Sequence, residues 1–336
     1  MQKRIKSLAG HLLKFLFSFG LIVWLVQSGR LEFGPLKQLL EPALLLTCLL
    51  TVGITITLAT QRWRYFLDSQ SLGISFGNAI RLNLIGIFFN YAVPGGVGGD
   101  LVKGYYITKS SPHAKMSAAL TVFMDRLIGL FSMVTLSLSI MIWKWDLISQ
   151  QIELLLIFKV LIVLALGFCV FWALMFSRRL YNLKIFNRII PKLPKGDLLL
   201  KAYETLMHYR HFKETFIITF FVSLVTQGIA ILFFIIVGNG LGYDQVPASV
   251  YFFVVPVAFM IQSLPLSFGG VGIGQTASYF LFNLSIPGSG PVGAATTTAY
   301  QIVTFAYGLI GAYFYMGIAK KIKNSTVQVA ASEVAQ

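Results

Sequence analysis

The sequence predicts an all-α polytopic membrane protein, with about six full transmembrane helices and two re-entrant hairpins broken by Pro and Gly, arranged as an inverted repeat. Three observations lead there. Of 336 residues, 56% are hydrophobic and only 12% are charged, with a mean hydropathy of +0.76, whereas soluble chains carry about 25% charged residues. The apolar residues gather into runs long enough to cross a bilayer. Two of those runs are interrupted by matching Gly-rich motifs. Together these exclude an ordinary soluble enzyme, a disordered chain and a fibrous one.

Windows of membrane-spanning length select residues 11–27, 42–61, 116–142, 154–176, 215–238 and 292–318 as full spans. Segment 11–27 follows Lys3, Arg4 and Lys6 and resembles a secretory signal; with a whole membrane domain after it, it reads as an uncleaved first span. Segments 78–108 and 247–283 are equally apolar but broken. Cys48 and Cys169 lie far apart within apolar runs and read as small core residues, with no disulfide framework and no metal spacing. No metal and no cofactor are expected. The chain reads as one integral membrane domain, 1–336, with halves 1–176 and 215–318 joined by a basic loop, 177–213.

Net charge is +15, from 27 Lys and Arg against 12 Asp and Glu. The N-terminal stretch, the 62–115 region, the 177–213 loop and the Lys320–Lys323 cluster hold all but five of the basic residues. The opposite set of loops holds Arg30, Lys37 and Lys144. Such asymmetry places the basic loops, and with them both termini, on the cytoplasmic side of a cell membrane. The charge is thereby assigned to topology and to anionic phospholipid rather than to nucleic acid. Parity then requires each broken segment to enter and leave on one face, 78–108 from the cytoplasm and 247–283 from outside. The rival reading, a pair of short full spans in each case, keeps the same end topology. Within the basic loop, Leu199, Tyr203, Leu206 and Tyr209 recur at helical spacing between Lys201, Glu204, His208 and Arg210. That pattern fits an amphipathic helix on the anionic leaflet or a solvated linker.

The two broken segments share a motif. Asn90 precedes Pro94-Gly95-Gly96-Val97-Gly98-Gly99-Asp100, and Pro265 and Ser267 precede Gly269-Gly270-Val271-Gly272-Ile273-Gly274-Gln275. The second copy follows the first at about half the chain length, the arrangement expected of an inverted repeat with its site at the repeat interface. Pro ends the helix before it, and the backbone polar groups a Gly turn leaves open are tolerated in a bilayer only inside protein or beside a water-filled cavity. Such a turn leading into a helix N-terminus suits an anionic group. The bland alternative is close packing of crossing helices.

Buried charge sharpens the reading. Asp125 and Arg126 lie about 13 Å into the 116–142 span at about 1.5 Å per residue, and a charge at that depth is a functional-site hypothesis by default. Neighbours on a helix do not face one another, so Arg126 requires another partner, for which Asp100 or a lipid phosphate is the candidate. Gln227, Gln262, Gln275 and Gln301 add neutral polar groups within the apolar segments.

These motifs, with Lys103 after the first and Gly129 after the Asp125-Arg126 pair, resemble the lysylphosphatidylglycerol synthase transmembrane (flippase-like) family along essentially the whole chain. The resemblance implies a polytopic module that moves lipids between leaflets. Lipid synthesis is not expected, because no soluble aminoacyl-transferase half is present in these residues. Gln275 and Lys103 stand where the family pattern leads one to expect Glu and Arg, which leaves the charge type of the substrate open. The resulting expectation is a lipid transporter, not an enzyme. Its path would be lined by Asn90, Asp100, Lys103, Asp125, Arg126, Ser267 and Gln275 and by the glycines of both turns. No nucleotide-binding Gly-x4-Gly-Lys-[Ser/Thr] motif is present. Two alternatives stand beside it: a solute or ion transporter on the same plan, and a non-transporting partner of a separate lipid-modifying enzyme.

Overall fold

The computed structural model describes residues 16, 19–31, 34–93, 98–177 and 196–334, and among them every regular element is helical. In chain order these are α1 (19–27), α2 (Pro42–Ser69), α3 (Phe76–Ala92), α4 (Gly98–Ser110), α5 (Lys115–Trp143), the short α6 (Trp145–Ser149), α7 (Ile152–Phe176), α8 (Gly196–His208), α9 (Lys213–Gly240), α10 (Ala248–Gln262), α11 (Ile273–Ser285) and α12 (Gly290–Val334). Helices α2, α5, α7 and α9 are long and apolar enough to cross a membrane. The broken segments appear as the helix pairs α3/α4 and α10/α11. Pro94, Gly95, Gly96 and Val97 of the first turn lie outside the described residues, as does 178–195 of the basic loop.

Local chemistry sets these boundaries. Pro42 opens α2 at a position where no amide partner is needed, and the Ser75 hydroxyl accepts the Asn78 amide to cap α3. Helix α10 ends at Gln262, and the chain turns through Gly269, Gly270 and Gly272 at φ of +55°, +75° and +82°, a left-handed run closed to β-carbon-bearing residues without strain. Helix α11 then starts beside that turn.

Each pair packs as an antiparallel hairpin. In the first, Gly99 lies against the Gly86 backbone, so closely that a β-carbon on Gly99 would strike the Gly86 carbonyl. In the second, Tyr251 packs on Phe282 with ring centroids 5.0 Å apart, while Gln262 lies over Gly270 and Gly274 nearer the turn. The two hairpins meet tip to tip: the Tyr91 ring, at the end of α3, rests on Gly269. They approach from opposite ends of the bundle. Helix α5 accordingly pairs with α4 through Arg126 and, three turns further along, with α10 through Ser137, whose hydroxyl donates to the Phe253 carbonyl at 3.3 Å. Helix α12 runs past both hairpins, meeting α11 where Gly293 lies against Ser278, and α3 where Gly308 faces Phe88 and Gly311 abuts the Leu84 carbonyl.

The order of helices recurs. Helices α9, α10, α11 and α12 begin at 213, 248, 273 and 290, each about 170 to 175 residues after α2, α3, α4 and α5, which begin at 42, 76, 98 and 115. The packing recurs with it: α2 lies against α9, α3 against α12, and α10 against α5. In a bilayer such contacts depend on close packing and interhelical hydrogen bonds rather than on the hydrophobic effect. Neighbouring helices are joined by such bonds: Asn83 Nδ2 of α3 to Thr60 Oγ1 of α2 at 2.8 Å, Tyr307 OH of α12 to the Leu49 carbonyl of α2 at 2.8 Å, and Thr297 of α12 to Ser278 of α11 at 2.7 Å.

Helix α7 is the least buried span, with Leu156, Val160, Val163, Leu166 and Val170 exposed along it. That face fits contact with lipid chains. Cys48 is buried as expected, but Cys169 lies exposed on α7. Helix α8 confirms the amphipathic pattern and corrects its direction. Tyr203 and Leu206 pack into a cluster with Phe66, Met124, Met175 and Phe216, and Tyr209 is fully buried there. The apolar face of this segment therefore seats on the protein, not on the leaflet, although Leu199 is exposed.

The α3–α12 crossing gives a direct stability test. A leucine at Gly311 meets backbone, which cannot rotate away, so G311L should cost about 1–3 kcal/mol or more, the range for overpacking. Gly104, which faces open space on α4, supplies the control: G104A should leave the thermal unfolding midpoint in detergent unchanged or slightly raised.

Candidate functional site

Between the hairpins lies a polar cavity of about 290 Å³, walled by α2, α3, α4, α5, α9, α10 and α12. Its charged lining is Arg62 from α2, Asp100 and Lys103 from α4, and Asp125 and Arg126 from α5. Asp100 sits in the first turn of α4, where the helix dipole favours a carboxylate. Its Oδ2 accepts from Arg126 Nε in an ion pair, so the partner expected for Arg126 is the one the fold supplies.

Asp125 takes a different partner. Both of its oxygens accept from Arg62, Nε at 2.7 Å and Nη2 at 3.1 Å, and Arg62 Nη1 also donates to Ser223 Oγ at 3.0 Å. This fork is the stronger kind of charged contact. It is also the deeper pair, with side chains 11% and 12% exposed against 38% and 20% for Arg126 and Asp100. Gly129 makes room for it: a β-carbon there would lie 3.3 Å from Arg62 Nη1. Because Asp125 and Arg126 point to opposite partners, α5 is tied to both α2 and α4.

Lys103 completes the set. Its stem crosses Gly86, where a β-carbon would come within 3.0 Å of Lys103 Cε, and its ammonium stands 5.3 Å from the Trp63 ring centroid. Trp63 is held in turn by a 3.3 Å bond from its indole nitrogen to Thr121. Among the described residues Lys103 forms no ion pair within 4 Å. The cavity continues past Asn83, Thr226 and Gln227; Gln227 is 6% exposed and its Oε1 has no hydrogen-bond partner.

Other expected site residues do structural work beside the cavity. Asn90 lines it, but its Oδ1 accepts the Gly99 amide at 2.9 Å and so caps α4. Gln275 does not reach the charged cavity. Its Oε1 accepts the Gly272 amide and its Nε2 donates to Gln301 Oε1, both at 2.8 Å, while the Gln301 carbonyl accepts from Tyr91 OH at 3.3 Å. Gln275 instead borders an apolar groove of about 660 Å³ on the other side of α12, with Phe19, Tyr91 and Phe305. Ser267 is fully buried within the second tip, its hydroxyl unpartnered. Gly98, Gly99, Gly269, Gly270 and Gly272 form or flank the tips, and Gly95 and Gly96 lie outside the described residues. The sequence alone does not single out Arg62, which falls within the basic 62–115 region. The available signal was its place within the apolar α2, two turns before the helix ends.

A bundle of apolar helices with two ion pairs, one of them nearly buried, where two broken hairpins meet defines a polytopic membrane protein with an internal polar site. The chain belongs to the family described as the lysylphosphatidylglycerol synthase TM region, whose model matches residues 11–311. It is also 26% identical over 283 residues, 78% of this chain and 82% of the relative, to the UPF0104 membrane protein PH1989 of Pyrococcus horikoshii. No solved structure matches it.

The Arg62–Asp125 fork yields a prediction. Removing one partner strands the other charge, so R62M or D125L alone should destabilise the folded protein by about 3–5 kcal/mol, whereas the double variant should recover most of that loss. Unfolding in mixed micelles of the two single variants and the double variant measures the coupling.

Proposed function

We propose that this protein moves a phospholipid between the two leaflets of the cell membrane, its head group crossing through the cavity between the hairpins while the acyl chains stay in the bilayer. The observation that carries this reading is the cavity itself. Charged groups inside a membrane domain are expensive and face a path or a partner, and here five line one space at the junction of two broken hairpins. Family membership supports a membrane module of lipid-related function.

In this reading α3/α4 and α10/α11 are re-entrant, since helices of 17, 13, 15 and 13 residues fall short of the roughly 20 that cross a bilayer. The halves starting at α2 and α9 form an inverted repeat, which suits alternating access around a fixed site. Both termini lie in the cytoplasm, as the basic loops require. The chain acts as a transporter and not as an enzyme.

The test is transbilayer movement of a fluorescent phospholipid in proteoliposomes. Wild type should move it well above the rate in protein-free vesicles. D100N and R126A should slow it by at least about tenfold, the effect of losing one charge-assisted contact. C169A, on the exposed face of α7, should match wild type. Equal rates with and without protein would defeat the proposal.

A further inference from the structure

We infer that the cavity selects a head group bearing net negative charge, a phosphodiester or phosphomonoester without a compensating cation, and that Lys103 reads that charge. The inference rests on the transport reading and gives it a substrate class. Among the described residues the cavity holds three cations, Arg62, Lys103 and Arg126, against two carboxylates. The carboxylates are largely committed: both oxygens of Asp125 accept from Arg62, and Asp100 gives Oδ2 to Arg126 and keeps only Oδ1. The uncommitted donors are those that suit an anion. Among the described residues Lys103 has no carboxylate within 4 Å, and Arg126 bonds through Nε alone, with both terminal nitrogens unused.

A cationic head group, such as one esterified with a basic amino acid, would meet an unpaired ammonium and two carboxylates that already face arginines. Like-charge contact in a water-poor site opposes binding more strongly than the same contact in bulk water. A phosphodiester monoanion instead offers its two non-bridging oxygens to Lys103 and to the Arg126 fork, and brings the charge of the site to neutrality; a phosphomonoester offers a third oxygen. Trp63 keeps the lysine oriented: its ring lies to one side of the ammonium and its nitrogen is fixed on Thr121. Gly86 allows the stem to lie flat across α3. Lys103 therefore reaches the cavity from a defined direction rather than as a mobile tether.

Three labelled lipids in proteoliposomes of the full chain test this: phosphatidylglycerol, phosphatidylcholine and the cationic ethylphosphatidylcholine. Wild type should move phosphatidylglycerol at least about tenfold faster than the cationic lipid, the penalty for one lost charge-assisted contact. K103M, which keeps the packing of the stem, should erase that preference, and K103R should retain it. Equal rates for the anionic and cationic lipids in wild type would overturn the inference while leaving lipid transport intact; should K103M fail to fold, this wild-type ranking still decides. If no lipid moves at all, the transport reading falls, and thermal stabilisation of the detergent-solubilised chain decides selection separately. Short-chain phosphatidylglycerol should raise the midpoint and short-chain ethylphosphatidylcholine should not. Stabilisation by inorganic phosphate to the same extent would assign the site to a free anion and overturn the lipid part.

Discussion

Backbone polar groups inside a hydrocarbon layer must find partners within the protein, and the rest of this structure is arranged around that requirement. Two helices break near the middle of the bundle, and each break exposes amides at a new helix start. Asn90 takes the Gly99 amide, reaching across the first hairpin from the end of α3. Gln275 takes the Gly272 amide from within its own helix. Each cap then serves a second purpose. Asn90 ties the two arms of its hairpin together, and Gln275 passes its other end to Gln301 and so anchors the second tip to α12. Tyr91 bonds to the same residue's carbonyl and lies on Gly269, which fixes the two tips against one another. The cavity is the space left around this junction, and its walls are as rigid as the caps that hold them.

The ion pairs solve a separate problem with the same economy of parts. An isolated charge at this depth is costly, yet the net worth of a buried pair against an apolar replacement is small. Stability alone therefore does not account for them. What they do supply is placement. Asp125 and Arg126 are adjacent in sequence but point to different helices, so the two pairs lock α5 between α2 and the first hairpin. A rotation of α5 by one residue would break both at once. The Gly129 gap and the Ser223 bond, which seat Arg62, belong to the same lock.

Much of the fold was legible in the sequence because membrane helices announce themselves by length and apolarity. The expected spans 116–142, 154–176 and 215–238 differ from α5, α7 and α9 by no more than two residues at any end, and both broken segments fall where helix pairs stand. Asp100 was legible as the partner of Arg126 because α5 carries its charges deep and the first Gly motif ends in a carboxylate. Arg62 was not, since a cation two turns from the end of an apolar helix reads the same whether it turns outward to the interface or inward to Asp125. The direction of α8 was hidden for a related reason. A helical stripe of Leu and Tyr serves a leaflet or a protein groove equally well, and only Phe66, Met175 and Phe216, from three other helices, decide between them.

The difference between capping and ligand binding explains why the Gly motifs misdirect a reader while still pointing to the right place. Glycine-rich turns with a following helix look like anion cradles, and open amides there are available to a ligand in many proteins. In this chain the Gly99 and Gly272 amides are satisfied by side chains, and the donors left uncommitted stand on Lys103, one turn into α4, and on Arg126 of α5. The turns create the cavity by breaking the helices; the charged side chains give it its chemistry. Substitutions at Asn90 or Gln275 therefore act first on the folded bundle, and substitutions at Lys103 act first on what the bundle holds, a separation that follows from which side chains already have backbone partners.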